Sequence, residues 1–233
     1  MEKAVKTKIK SEGMTSSNYR ELARLTLAQL VFFNRRRPRE VEVLLIDDFC
    51  TQMKNKQPVQ DEVAKALSLS EKLAMKRLDV LMVRGKRGRG VPILLTENTK
   101  ESIEMIVVYH KEQKHKAKYV FARVSLDATT PLRAGDTIRE LADAAGLKHP
   151  ENLRCTKLRK HIATLSQLLG LKDHELEQLA NHMGHNIAVH REYYRLPQET
   201  MLLAKMSKLL CLTEKGQVHQ HCGESLDEIS INS

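Results

Sequence analysis

Four features of this sequence set a charged or reactive side chain where its surroundings would present it. Arg37 stands just ahead of Pro38, and proline suits the first turn of a helix. A guanidinium and free backbone N–H groups at that point can converge on a phosphate. Lys86 lies in Arg84-Gly85-Lys86-Arg87-Gly88-Arg89-Gly90, between two apolar strand-like runs. Those glycines suit a hairpin turn whose tip can reach into a groove. Arg159 interrupts an otherwise apolar helix pattern of Leu153, Leu158, Ile162, Leu165, Leu168 and Leu169. His185 follows the helix-ending Gly184, and Tyr194 stands nine residues beyond it.

Taken singly, each feature has an ordinary explanation. A charge run is commonly a solvated face, a hairpin lysine a solubilising group, and a helix arginine a snorkelling side chain. A histidine after a helix can be a cap, and Tyr193 and Tyr194 can pack with their hydroxyls at the surface. Their order along the chain carries more. The segments AQLVFFNRRRPREVEVL, VRGKRGRGVPIL, TKLRKHIAT and MGHNIAVHREYYRLP resemble, in this order, the active-site segments of tyrosine recombinases and integrases. Arg37 and Glu40 have the spacing of that family's first arginine and its glutamate, and Lys86 matches the hairpin lysine. Arg159 matches the arginine of an HxxR motif, while Met183-Gly184-His185 and Tyr194 match its Leu-Gly-His and nucleophile. The wording NRRRPRE, LRKHIAT and HREYYRLP looks most like the Crypton group of mobile-element recombinases and their host-genome relatives. The resemblance covers residues 17–212 and departs at Thr156, which stands where HxxR has its histidine.

The resemblance implies DNA breaking and rejoining through a 3′-phosphotyrosyl intermediate, without metal or other cofactor. Tyr194 is then the nucleophile, with Tyr193 the alternative that the spacing disfavours. Arg37 and Arg159 hold the non-bridging phosphate oxygens, His185 donates a further hydrogen bond, and Lys86 protonates the leaving oxygen. Arg35, Arg36, Arg84, Arg87 and Thr156 join them as DNA contacts. A mobile-element-derived DNA-binding protein with little or no catalysis is the other reading, and Thr156 is its support. A type IB topoisomerase uses a similar residue set, but the segment wording favours a recombinase. Members usually carry a separate N-terminal helical DNA-clamping domain. Only about sixteen residues precede the catalytic-like segment here, so the clamp is not expected in this chain.

The elements that must position these residues read as a mostly helical α+β domain with a small antiparallel sheet at one edge. Residues 17–33 form a helix with Leu22, Leu25, Ala28 and Phe32 on one side, and Pro38 opens a second that buries Val41, Leu44, Leu45 and Phe49. A charged helix over 61–77 precedes strands at Leu78–Val83 and Val91–Leu95. Asn98 with Glu101 reads as a capping box opening a helix to about His115, and Tyr119–Val124 is extended. Further helices run from Thr137 to Gly146, over Arg154–Leu169, from Asp173 to near Gly184, and from Pro197 to about Leu212. Residues 1–16 read as a loose basic tail and 213–233 as a disordered one. The last helix offers Met201, Leu202, Ala204, Leu209 and Leu210 as an apolar face, for its own core or for a neighbouring protomer in an assembly on DNA.

Composition agrees with this picture. The 39 Lys and Arg against 29 Asp and Glu leave a net charge of +10, which favours a polyanion such as double-stranded DNA. There is no Trp and only 4% of residues are aromatic, so a base-stacking RNA platform is disfavoured. No apolar run approaches a membrane span, and Cys50, Cys155, Cys211 and Cys222 lack the pairing of a metal knuckle or disulfide framework. His182, His185 and His190 lack the spacing and glutamate of a zinc protease, and His219, His221 and Cys222 lack a fourth ligand. A nuclear location is expected only because the inferred substrate is there.

Overall fold

A computed structural model describes residues 2–55, 65, 67–85, 88, 90–113, 116–123, 130–168, 171–184, 207–217 and 220. Helix α2 (Ser16–Asn34) is its axis. Thr15 caps it, its side chain accepting from Asn18 N–H. One apolar side was expected of it, yet Leu22, Ala23, Leu27 and Leu30 are all fully buried, on more than one side. The reason is that α2 is surrounded by α1 (Glu2–Glu12), α6 (Glu97–Glu112), α7 (Ala134–Ala144) and strand β2 (Gly90–Thr96).

The expected loose segment 1–16 is instead helix α1, which drops Val5 and Ile9 into the core. Its polar positions, read as solvated, are partnered. Lys6 Nζ donates to Asn98 O at 2.9 Å, Asn98 Oδ1 at 2.8 Å and Glu101 Oε2 at 2.7 Å. Glu2 accepts from Ser102 Oγ at 2.6 Å and Asn98 Nδ2 at 2.8 Å. Asn98 and Glu101 are thus spent on α1, and Thr96 caps α6 in their place, accepting from Thr99 N–H at 3.2 Å.

The helix expected from Pro38 to Phe49 is broken into α3 (Pro38–Glu42) and α4 (Ile46–Lys54). The backbone between them pairs with another segment: Val120 N–H donates to Leu44 O at 2.9 Å, and Ile46 N–H donates to Lys118 O at 3.1 Å. The apolar pattern still holds across the break, since Val41, Leu44 and Phe49 are buried.

Helix α5 (Leu69–Arg77) leads into β1 (Leu78–Arg84), which pairs antiparallel with β2 in a register running from Leu78 opposite Thr96 to Arg84 opposite Gly90. Alternation buries Leu81, Val83, Val91, Ile93 and Leu95 on one face. Helix α7 ends at Gly146, whose φ of 61° suits glycine. A 3₁₀ turn (Pro150–Leu153) leads into α8 (Cys155–Leu168), then α9 (Asp173–His182) and α10 (Ser207–Glu214). In α10, Leu212 is buried while Leu209 and Leu210 are exposed; Met201, Leu202 and Ala204 lie outside the described residues. No described helix is long and apolar enough to cross a membrane.

Candidate active site

The end of α2 is where the site is built. Arg35 takes a left-handed turn, φ 53°, unusual for a residue with a Cβ, and its N–H donates to Val31 O at 3.0 Å. The next two arginines then diverge. Arg36 turns inward and is 1% exposed; its Nε donates to Glu40 Oε2 at 2.9 Å and its Nη1 to Pro92 O at 3.4 Å. Arg37 caps α3 with a side chain 40% exposed, its Nη1 3.9 Å from Glu40 Oε1. Glu40 is itself buried, so one carboxylate anchors a buried guanidinium and flanks an accessible one.

Two more elements close on this turn. Arg159, on α8, is 7% exposed and donates through Nη2 to Met183 O at 3.0 Å. Thr156 lies one turn earlier on α8 and is exposed. Helix α9 ends at Met183 and Gly184; a Cβ built on Gly184 would sit 3.5 Å from both Arg36 Nη2 and Arg37 Nη1, and 3.7 Å from Glu40 Oε1. Gly184 has φ 68°, so this position needs glycine for its backbone, and the backbone runs close beside the guanidinium groups. His182 Nε2–H donates to Asn34 O at 2.9 Å. Burial holds the His182 ring below the ordinary histidine pKa; the Arg36 and Arg159 charges add to this against the Asn34 hydrogen bond and Glu40.

The hairpin is held at both edges by carboxamides. Asn34, buried at the end of α2, accepts Leu94 N–H on Oδ1 at 2.7 Å and donates from Nδ2 to Leu94 O at 3.0 Å. On the other strand, Gln52 accepts Met82 N–H and donates to Met82 O, each at 2.8 Å. Both strands are short and each has an open edge, so these side chains take the place of a third strand.

Of the residues singled out by sequence, Arg37 and Arg159 are therefore brought to one turn, the one that leads into His185. Arg36, expected among the DNA contacts, faces Glu40 rather than solvent, because a guanidinium buried to this extent requires a carboxylate partner. Arg35 lines a cavity of about 380 Å³ with Phe32, Phe33, Ile162, Leu179, His182 and Met183. Arg84 is exposed where β1 ends, and its Nη2 would stand 3.9 Å from a Cβ on Gly88. Lys86, Arg87, His185, Tyr193 and Tyr194 lie outside the described residues, as do His190, His219, His221 and Cys222. Among the described residues no three His, Cys, Asp or Glu side chains cluster to hold a metal ion.

Sequence reasoning passed over Asn34, Gln52 and Glu42. Glu42 Oε1 accepts Ala134 N–H at 2.8 Å and so caps α7, which begins three residues ahead of the expected start at Thr137. The one available signal was a polar residue, Asn34, closing a long apolar helix.

No family model and no curated relative matches this chain. Among solved structures it is similar to XerH site-specific recombinase bound to difH substrate in a pre-cleavage complex, with TM-score 0.51 and 15% identity. That match covers 87% of this chain and 51% of XerH, so the chain spans about half the length of the protein it matches. It is also similar to XerH bound to palindromic difH in a post-cleavage complex, with TM-score 0.49, 16% identity, and 86% and 49% of the two chains covered. For XerA recombinase the TM-score is 0.46 at 14% identity, over 86% of this chain and 61% of that one. At such identity the likeness is one of fold. The chain shares its fold with part of that recombinase, and its described residues are mostly helical with a small antiparallel sheet, as its motifs led one to expect.

Proposed function

We propose that this chain breaks and rejoins double-stranded DNA by a tyrosine recombinase mechanism. The observation that carries the proposal is the convergence of Arg37 and Arg159 on the Met183–Gly184 turn. Two guanidinium groups, one flanked by a buried carboxylate and the other hydrogen-bonded to a backbone carbonyl, offer a clamp for a phosphate that gains charge as it is attacked. In this reading Tyr194 Oη attacks the scissile phosphorus as its proton passes to solvent water, since Thr156 cannot accept it. The phosphorus–O5′ bond breaks, the electron pair departs with the 5′ oxygen, and Lys86 protonates it. Arg37 and Arg159 hold the non-bridging oxygens, with His185 as a further donor. The bond energy stays in the phosphotyrosine, so a second 5′-hydroxyl can reverse the step. No metal or other cofactor enters it.

Arg84, Arg87, Arg35 and Thr156 supply flanking DNA contacts in this reading. The segment wording supports membership of the Crypton-type group in this reading, and a chromosomal DNA substrate supports a nuclear location. Assembly of copies on DNA through the last helix completes the proposal; exposed Leu209 and Leu210 favour it.

Thr156 favours a second reading, a DNA-binding protein with little catalysis, because a threonine cannot take a proton near neutral pH. A nicked suicide duplex separates the two. A covalent adduct that Tyr194→Phe abolishes without loss of binding supports the first. Binding with no adduct in the wild type supports the second, and loss of the adduct in Tyr193→Phe alone would reassign the nucleophile.

A further inference from the structure

We infer that Asn34 is the positioning residue of this site, holding the β-hairpin at a set distance from the arginine turn. The inference rests on the proposed DNA-cleaving function and gives a role in it to a residue for which the family resemblance names none. Asn34 is 1% exposed, and every polar group of its side chain is engaged within the fold. Its Nδ2 donates to Leu94 O at 3.0 Å and to Leu30 O at 3.1 Å, and its Oδ1 accepts Leu94 N–H at 2.7 Å. Its own carbonyl accepts the His182 ring N–H at 2.9 Å. One residue therefore joins β2, the end of α2 and the end of α9, immediately before Arg35, Arg36 and Arg37.

The need for such a joint follows from the sheet. A two-stranded ladder sets the register of β1 against β2 but not the angle of the pair to the rest of the fold. That angle is set by the packing of Leu81, Val83, Val91, Ile93 and Leu95 in the core together with what grips the outer edges, and on β2 the grip is Asn34 at Leu94, supported by the long Arg36 contact to Pro92 O. The hairpin turn begins four residues from Leu94, about 14 Å along an extended strand. Loosening the clamp would change the angle of β1 and β2 to the arginine turn, while the arginines keep their own anchors in Glu40 and Met183; in the proposed mechanism the proton donor Lys86, next but one after β1 in the chain, depends on that angle.

The test compares single-turnover cleavage by the full chain on two suicide duplexes, one with the normal 5′ oxygen at the scissile bond and one with sulfur there. A thiolate, whose thiol has a pKa of about 8.5, leaves without a proton donor, whereas an alkoxide, whose alcohol is a far weaker acid, does not. Asn34→Asp is nearly isosteric and still accepts Leu94 N–H, but loses the donor to Leu94 O. A misplacement on the scale of 1 Å costs up to about 100-fold, so Asn34→Asp and Asn34→Ala should slow cleavage of the oxygen duplex by about 10-fold to 100-fold. On the sulfur duplex both should stay within about threefold of wild type, with DNA affinity similarly unchanged. Wild-type rates on the oxygen duplex in folded variants would overturn the inference. So would equal losses on both duplexes, or failure of both variants to fold, which would make Asn34 a stability residue. A wild-type chain that binds DNA and cuts neither duplex overturns the proposed function, and this inference falls with it.

Discussion

Glu40 closes on Arg36: its Oε2 lies 2.9 Å from Arg36 Nε, with the Arg36 side chain 1% exposed and that of Glu40 6% exposed. Arg37 is the looser neighbour, 3.9 Å away and 40% exposed. Of two adjacent arginines, one is thereby buried and the other presented. Removing one partner of a buried pair strands the other's charge and typically costs about 3–5 kcal/mol. Arg36→Ala should therefore lower stability to chemical denaturation by about that amount, whereas Arg37→Ala, like other exposed ion-pair losses, should cost about 1 kcal/mol or less. Arg37→Ala should nevertheless abolish covalent adduct formation. A larger stability loss in Arg37→Ala than in Arg36→Ala would reverse the assignment.

Thr156 is exposed one helical turn before Arg159, so a histidine there would have room and the right face. Loss of a proton-transfer group typically costs about 100-fold to 10,000-fold, while the remaining electrostatic groups keep part of the rate. Thr156→His should therefore speed cleavage of the suicide duplex. An active enzyme left unchanged or slowed by the substitution would mean that the position has been given another task.

His182 links stability to pH. Its folded pKa lies below the ordinary 6.5 because burial disfavours the charged ring. Unfolded chains then bind the proton more readily than folded ones, so the contribution of His182 is complete above about pH 6.5 and is lost as pH falls toward its lower folded value. Denaturation of the wild type should become easier from pH 7.5 to 5.5. His182→Gln, which does not titrate, should show a smaller decline over the same range. Equal declines in the two proteins would remove His182 as the cause.

DNA affinity should fall steeply with salt, since a chain of net charge +10 that grips phosphates releases counterions on binding. The slope of log affinity against log salt counts those contacts. Arg37→Ala should reduce it by about one contact, with similar effects on unrelated duplex sequences. Binding insensitive to salt between about 50 and 200 mM would contradict a phosphate-directed site.

Much of this architecture is local and was legible in the sequence. Alternating apolar residues around a glycine-rich turn specify the hairpin, because a strand's two faces repeat every second residue. Pro38 opens α3, and Gly146 and Gly184 mark where helices stop, because each depends on the backbone freedom of a single residue. The spacing of Arg37, Arg159 and the Gly184 turn likewise survives in one dimension. What the chain order does not encode is which distant group each polar side chain meets. Two adjacent arginines are equal in sequence, and only the depth of the α2–α3 turn beside Pro92 and Gly184 decided that Arg36 is buried and Arg37 presented. Lys6 and Glu2 look solvated until α6 supplies Asn98, Glu101 and Ser102. Asn34 looks like the polar end of a helix until β2 offers both backbone groups of Leu94 to it. For Lys6, Glu2 and Asn34 these partners lie tens of residues away, and burial, which makes an unpartnered polar group costly, exists only once the chain has folded.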